Sequence, residues 1–217
     1  MLVIGITGSI GMGKSTIAGV FKEYGAAVWD ADRAAHSFLE PGGLAVSQIA
    51  KLFPKACKTN SKDQLFIDRT ELGKEVLKKN GNLKAIEKIL HPLIHQQEKK
   101  FLLSAKLQRY SIVVLDIPLL FESNRTDRFD AILVVSAPEF VQRLRVLSRP
   151  GMTNEKYEAI LNHQMSDEEK RRKADFVLET GLNKAFSRKS LLRIIKTLEK
   201  RPCRKWSGYW SVNLNRK

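Results

Sequence analysis

Cysteine is scarce in this sequence. Cys57 and Cys203 are the only two in 217 residues, too few for a disulfide framework and without metal-ligand spacing. A reducing compartment, the cytoplasm, is therefore expected. Long apolar runs are missing as well, and none approaches the ~20 residues needed to span a bilayer. The N-terminus reads straight into a strand pattern with no cleavage site, so neither a signal peptide nor membrane attachment is expected. Internal repeats and low-complexity tracts are absent. Acidic residues are outnumbered, 23 Asp and Glu against 38 Lys and Arg, which gives a net charge of +15. Such a chain favours polyanions: nucleotides, CoA-like molecules, nucleic acid or an acidic surface. Charge alone does not choose among them. The remaining composition, 43 % hydrophobic, is ordinary for a globular protein able to build its own core.

Apolar runs of strand length stand at Leu2–Thr7, Ala26–Trp29, Ile112–Leu115, Ala131–Val135 and Phe176–Glu179. They do not alternate with polar residues, as expected of strands covered on both faces in a parallel sheet. Helical patterns separate them, so the predicted class is α/β. Asp68 with Glu71 and Ser166 with Glu169 have capping-box spacing, and Pro138 suits a first helical turn. Residues of about 33–110 are too many for one crossover and read as an inserted helical subdomain. Residues of about 143–173 are dense in Lys and Arg, pass through Arg149-Pro150-Gly151, and read as a helical lid. The predicted organisation is one domain over 1–200 followed by a basic tail, 201–217, that carries Trp206 and Trp210.

The most specific signal is Gly8-Ser9-Ile10-Gly11-Met12-Gly13-Lys14-Ser15, which fits the P-loop pattern G-x-x-x-x-G-K-[ST]. It follows a buried strand and opens an amphipathic helix over about Lys14–Tyr24. Glycines let the chain curl so that backbone N–H groups form a nest for phosphate oxygens, and the helix adds its positive N-terminal end. Lys14 can reach the β- and γ-phosphates, and the Ser15 hydroxyl can hold Mg²⁺. The alternative is a glycine-rich turn with no ligand. A GTPase would need N-K-x-D. Here Asn183-Lys184 is followed by Ala185-Phe186, so the Asp is missing.

A small kinase, with a helical acceptor-binding insert and an arginine-bearing lid, fits the layout better, and further elements sit where its chemistry would want them. Asp30-Ala31-Asp32 follows the second strand, where ligands of open parallel sheets gather. Asp30 reads as a helix cap and Asp32 as a base for an attacking hydroxyl. Asp116 ends the third strand and reads as a metal-side carboxylate or a loop anchor. Arg145 and Arg149 could stabilise charge on a transferring phosphoryl group, or belong with Arg143, Arg171 and Arg172 to a solvated face; Arg171 and Arg172 are assigned to the surface. His91, before Pro92, reads as a helix-start residue or a ligand. A kinase for another small acceptor and a basic nucleic-acid-binding ATPase are the competing readings. The second lacks any nucleic-acid motif, so nucleic acid is not the expected partner.

Taken together, the chain resembles the dephospho-coenzyme A kinase family over about residues 2–199. The likeness rests on Ile6–Thr16, Asp30-Ala31-Asp32, Leu90-His91-Pro92, Asp116-Ile117-Pro118-Leu119-Leu120-Phe121-Glu122, Arg145, Arg149, Gln164-Met165-Ser166, Lys170 and Ala174-Asp175-Phe176-Val177. The loop is shared by a large superfamily; the Asp-Ala-Asp and Asp-x-Pro-Leu-Leu elements in this order are far narrower. The resemblance implies ATP-dependent transfer to the ribose 3′-hydroxyl of dephospho-CoA, with Mg²⁺. It also implies a five-stranded parallel sheet, a helical CoA-binding subdomain and a lid. Gly8, Gly11, Met12, Gly13, Lys14, Ser15, Thr16, Arg145 and Arg149 would bind ATP. Lys14, Asp32 and Arg145 would be catalytic, Asp32, His91 and Asp116 would face the acceptor, and Ser15 with Asp116 would serve the metal. Pro150 stands where the family often has an acidic residue or Asn, and the tail 201–217 matches nothing in it. Oligomeric state is left open.

Overall fold

The structure, a computed structural model, describes residues 1–78, 81–123 and 126–203. Two compact units emerge, one of Met1–Trp29 with Ser104 onward, the other of Asp30–Leu103. Trp206 and Trp210 of the tail lie outside the described residues.

The first unit is built on strands β1 (Leu2–Thr7), β2 (Ala27–Asp30), β5 (Ile112–Asp116), β6 (Ala131–Ser136) and β7 (Phe176–Glu179), in the order β2-β5-β1-β6-β7. β1 pairs in parallel with β5 and β6, and β6 with β7. Every residue of β1, β5 and β6 is buried, which is why these strands read as unbroken apolar runs. The crossover helix α1 (Lys14–Glu23) and the last helix among the described residues, α9 (Lys184–Leu198), bury Ile17, Val20 and Phe21, and Leu191, Ile195 and Leu198, against that sheet. Central β1 delivers its carboxyl end, and so residues 8–13, to the middle of the sheet's edge.

Between β6 and β7 run α6 (Glu139–Leu147), α7 (Asn154–Asn162) and α8 (Asp167–Lys173). Pro138 stands at the N-cap of α6, one position before its first turn. Ser166 and Glu169 form the full reciprocal capping box on α8. Arg143 donates to Glu158 Oε1 at 3.0 Å and to Asn154 Oδ1 at 2.7 Å, and its guanidinium lies 5.5 Å from the ring centre of Tyr157. These contacts lock α6 to α7.

The second unit carries α2 (Ala31–Ser37), α3 (Val46–Leu52), α4 (Arg69–Leu77) and most of α5 (Asn82–Leu107) around a separate core that includes Phe38, Ile49, Phe53 and Ile67. It also holds an antiparallel pair, β3 (Cys57–Thr59) with β4 (Leu65–Ile67), where sequence reading expected helices alone. Three-residue strands are too short for periodicity to register. Asp68 caps α4 by accepting from Thr70 N and Glu71 N. The expected reciprocal half is missing, because Glu71 turns its carboxylate to Lys74 instead.

Candidate active site

The phosphate loop is positioned by conformation first. Gly11 and Gly13 adopt φ of +78° and +93°, which side-chain-bearing residues rarely take. At Gly8 a Cβ would fall 2.3 Å from the Val135 carbonyl oxygen, and at Gly11 it would fall 2.5 Å from Val146 Cγ2. Glycine is therefore required both by backbone angle and by the closeness of β6 and α6. Gly13 is the N-cap of α1 and has no side-chain cap. The first turn of α1 thus leaves its amides to whatever anion the loop holds.

The loop's backbone is then held from behind. The Ile10 N–H donates to Gln164 Oε1 at 3.1 Å, and the Ile10 carbonyl accepts from Gln142 Nε2 at 2.8 Å. Thr180 Oγ1 donates to the Met12 carbonyl at 2.6 Å. Arg145 extends Nη1 to Thr180 Oγ1 at 3.1 Å and Nη2 to the Thr180 carbonyl at 2.6 Å, with a longer contact to the Gly11 carbonyl at 3.5 Å. Lys170, buried, approaches Ser9 Oγ at 3.5 Å and Glu122 at 3.2 Å. Gln142, Gln164, Lys170 and Thr180 carried no assigned role in the sequence reading. Gln164 and Lys170 belong to quoted motifs, but nothing in their local sequence says that they reach the loop.

The predicted site residues fall into two sets. Within the first unit, Gly8, Gly11, Met12 and Gly13 line the curl. Lys14 Nζ donates to the Gly8 carbonyl at 2.8 Å, and Ser15 and Thr16 present exposed side chains at the start of α1. Asp116 ends β5 in register with Ile6 and is buried. The chain beyond it is tied to β1 by Thr7 Oγ1 donating to the Pro118 carbonyl at 2.9 Å. Arg145 projects from α6 onto the loop as described, whereas Arg149 is exposed just past the end of that helix. Arg171 pairs with Glu179 and donates to Ser136 Oγ, and Arg172 pairs with Glu168 on the surface. Tyr157 of α7 is fully buried, and burial first, then the nearby Glu139 and Glu158, raises its phenol above the ordinary value.

The second set belongs to the second unit. Asp30 accepts from Arg33 N at 3.0 Å and caps α2. Asp32 sits exposed in the first turn of the same helix, two residues past the end of β2. His91 is exposed in the interior of α5 rather than at a helix start, and Pro92 follows it inside the helix. The local His-Pro pair read as a beginning because a proline removes a helix donor, yet the helix runs through it.

The family model for dephospho-CoA kinase matches residues 2–184. The chain belongs to the dephospho-CoA kinase family. A dephospho-CoA kinase of Mesorhizobium japonicum is 45 % identical over 198 residues, covering 91 % of this chain and 97 % of that protein. One from Agrobacterium fabrum is 43 % identical over 199 residues, with 91 % and 98 % covered. Among solved structures, TT1252 from Thermus thermophilus superposes with a TM-score of 0.75 at 33 % identity, covering 90 % of this chain and 96 % of that one. The dephospho-CoA kinase from Campylobacter jejuni gives 0.61 at 24 % identity over 90 % and 96 % of the two chains, a likeness of fold. As a member of this kinase family the chain is an enzyme, and its parallel sheet and phosphate loop are those of its fold. No helix among the described residues is long and apolar enough to cross a membrane.

Proposed function

We propose that the chain catalyses ATP-dependent phosphorylation of the ribose 3′-hydroxyl of dephospho-CoA, giving CoA and ADP, in the cytoplasm. Family membership supports the substrate pair. The observation that carries the chemistry is the curl of Gly8–Gly13, with two left-handed glycines and an uncapped helix start beside Lys14. A surface turn has no reason to be held in shape by hydrogen bonds with Gln142, Gln164, Thr180, Arg145 and Lys170.

In this reading the loop amides and Lys14 bind the phosphates. Lys14 exchanges the Gly8 carbonyl for a phosphate oxygen, so the ammonium is already aimed before ATP arrives. Arg145 and Arg149 supply positive charge where the transferring phosphoryl develops its own. Asp32 accepts the proton of the 3′-hydroxyl, and His91 and Asp116 serve the acceptor side. Residues of about 33–110 bind the acceptor, and 143–173 close as a lid that excludes water, so transfer outruns hydrolysis. The donor set suits Mg²⁺: the Ser15 hydroxyl and the Asp116 carboxylate are hard oxygen ligands, and Mg²⁺ shared with a triphosphate needs only one or two from the protein. When bound, the ion neutralises charge on the phosphates.

The test is ADP release with dephospho-CoA as acceptor, against a panel of other nucleotide and small hydroxyl acceptors, with Lys14→Ala as control. Dephospho-CoA is expected to be preferred by a wide margin and the variant to be nearly silent. Equal turnover with unrelated acceptors would reject the assignment.

A further inference from the structure

Lys170 is the one charged side chain among the largest fully buried groups of the described residues, with 0 % exposure. Its ammonium lies 3.2 Å from Glu122 Oε1 and 3.5 Å from Ser9 Oγ. The same Glu122 oxygen accepts from Met165 N at 2.8 Å, while Oε2 is buried with no partner among the described residues. Three distant stretches therefore meet at this cation: the phosphate loop at Ser9, the Asp116–Glu122 segment, and the chain entering α8. One residue further round the loop, Gln164 of that same entering chain accepts from Ile10 N.

Stability alone gives a weak reason for such a group. Removing an ammonium from water costs several kcal/mol, and a single carboxylate roughly breaks even against it, so a neutral pair of similar volume would serve the fold as well. What a neutral pair of similar volume cannot provide is a donor that reaches the loop at Ser9 Oγ while Glu122 anchors it to two other stretches of chain. The hydroxyl of Ser9 also gains a donor that holds the loop's second residue in place.

We propose that Lys170 is a positioning residue for the triphosphate site. Through Ser9 and Glu122 it fixes the curl of the loop, and it couples the loop to the 164–170 segment without touching nucleotide. This rests on the reading of the loop as an ATP site.

The experiment compares the parent with Lys170→Met and with the doubly neutral Lys170→Met/Glu122→Gln. It reads melting temperature, equilibrium binding of a non-hydrolysable ATP analogue, and KM for each substrate. The single variant leaves the half-buried Glu122 carboxylate without its cation and beside an apolar group, and is expected to melt early. The double variant is expected to melt within a few degrees of the parent, to bind the analogue about threefold to tenfold more weakly through loss of the hydrogen bond that holds Ser9, and to raise KM for ATP while KM for dephospho-CoA stays within twofold. A purely structural Lys170 predicts that the double variant recovers analogue binding together with stability, and that result overturns the proposal. Should neither variant fold, hydrogen exchange on the parent decides: the analogue must slow exchange of the amides of Gln164–Lys170 as well as those of the loop, and no change at 164–170 overturns the coupling. A parent that fails to bind the analogue rejects the ATP site itself. A parent that binds, beside a double variant that binds equally, rejects only the role of Lys170.

Discussion

Thr180 offers the cleanest single-atom test of how the loop is held. Its hydroxyl donates to the Met12 carbonyl at 2.6 Å and accepts from Arg145 Nη1 at 3.1 Å, and the residue is 7 % exposed. Thr180→Val keeps the shape of the side chain and deletes that oxygen. The Met12 carbonyl then loses its donor inside the protein, and Arg145 loses one of its acceptors at Thr180 while keeping the carbonyl at 2.6 Å. A buried polar atom left unsatisfied costs about 1–3 kcal/mol. In a chain of this size each kcal/mol moves the melting temperature by about 2–4 °C, so a mid-range loss of ~2 kcal/mol predicts a fall of about 4–8 °C. The same loss acts on function. The peptide between Met12 and Gly13 is free to rotate toward water, which turns a loop amide away from phosphate. If about 1.4 kcal/mol of the loss falls on the bound form, affinity for an ATP analogue drops about tenfold. Calorimetric melting and titration of the analogue measure the two effects, and Thr180→Ser, which restores the hydroxyl, should recover most of both. Parent-like melting and binding in the Val variant would refute the reasoning. So would a Ser variant as impaired as Val. A Val variant that melts early but binds normally would leave Thr180 as packing alone.

Other expectations follow from the same geometry. Asp32→Asn should lower kcat by about 10²–10⁴-fold while analogue binding is kept; near-normal turnover would remove Asp32 from the base role. Gly11→Ala meets both a φ of +78° and a Cβ contact of 2.5 Å to Val146, so about 2–4 kcal/mol of backbone strain and overpacking is expected. Gly25→Ala meets a φ of +88° but open space and should lose only about 1–2 kcal/mol; equal losses by denaturant melts would show that crowding at the loop is not the cause. The Glu169 carboxyl is held below its ordinary value, first by the Ser166 hydroxyl and then by the Ser166 backbone N–H. Its contribution is therefore complete above the unfolded-state value of about 4.3 and is lost as pH falls through the lower folded-state value. Glu169→Gln should thus be less stable than the parent at neutral pH, with the gap closing in acid. A carboxyl titrating by NMR at or above the ordinary value would contradict this.

What the linear order of residues determined is everything whose cause lies within a few positions. The strands are unbroken apolar runs because β1, β5 and β6 are covered on both faces. The phosphate loop is legible because its glycines answer a local backbone demand, and the helix behind it begins within the same short stretch. The caps at Asp30, Asp68 and Ser166 were readable for the same reason. Proximity alone misled at His91-Pro92, where a local start signal was overridden by a longer helix that runs through it, and at β3–β4, whose strands are too short to show a period.

Tertiary structure alone decided what surrounds the loop. Gln164 lies 154 residues from its partner Ile10, Lys170 161 residues from Ser9, and Thr180 168 residues from Met12. No spacing rule links such positions. They meet because parallel pairing brings the carboxyl ends of β1, β6 and β7 to one edge of the sheet, and the hydrogen bonds that hold the loop are satisfied there by whichever side chains the crossovers deliver. A pattern in sequence can announce that phosphate is gripped; only the packed sheet determines which residues keep the grip in shape.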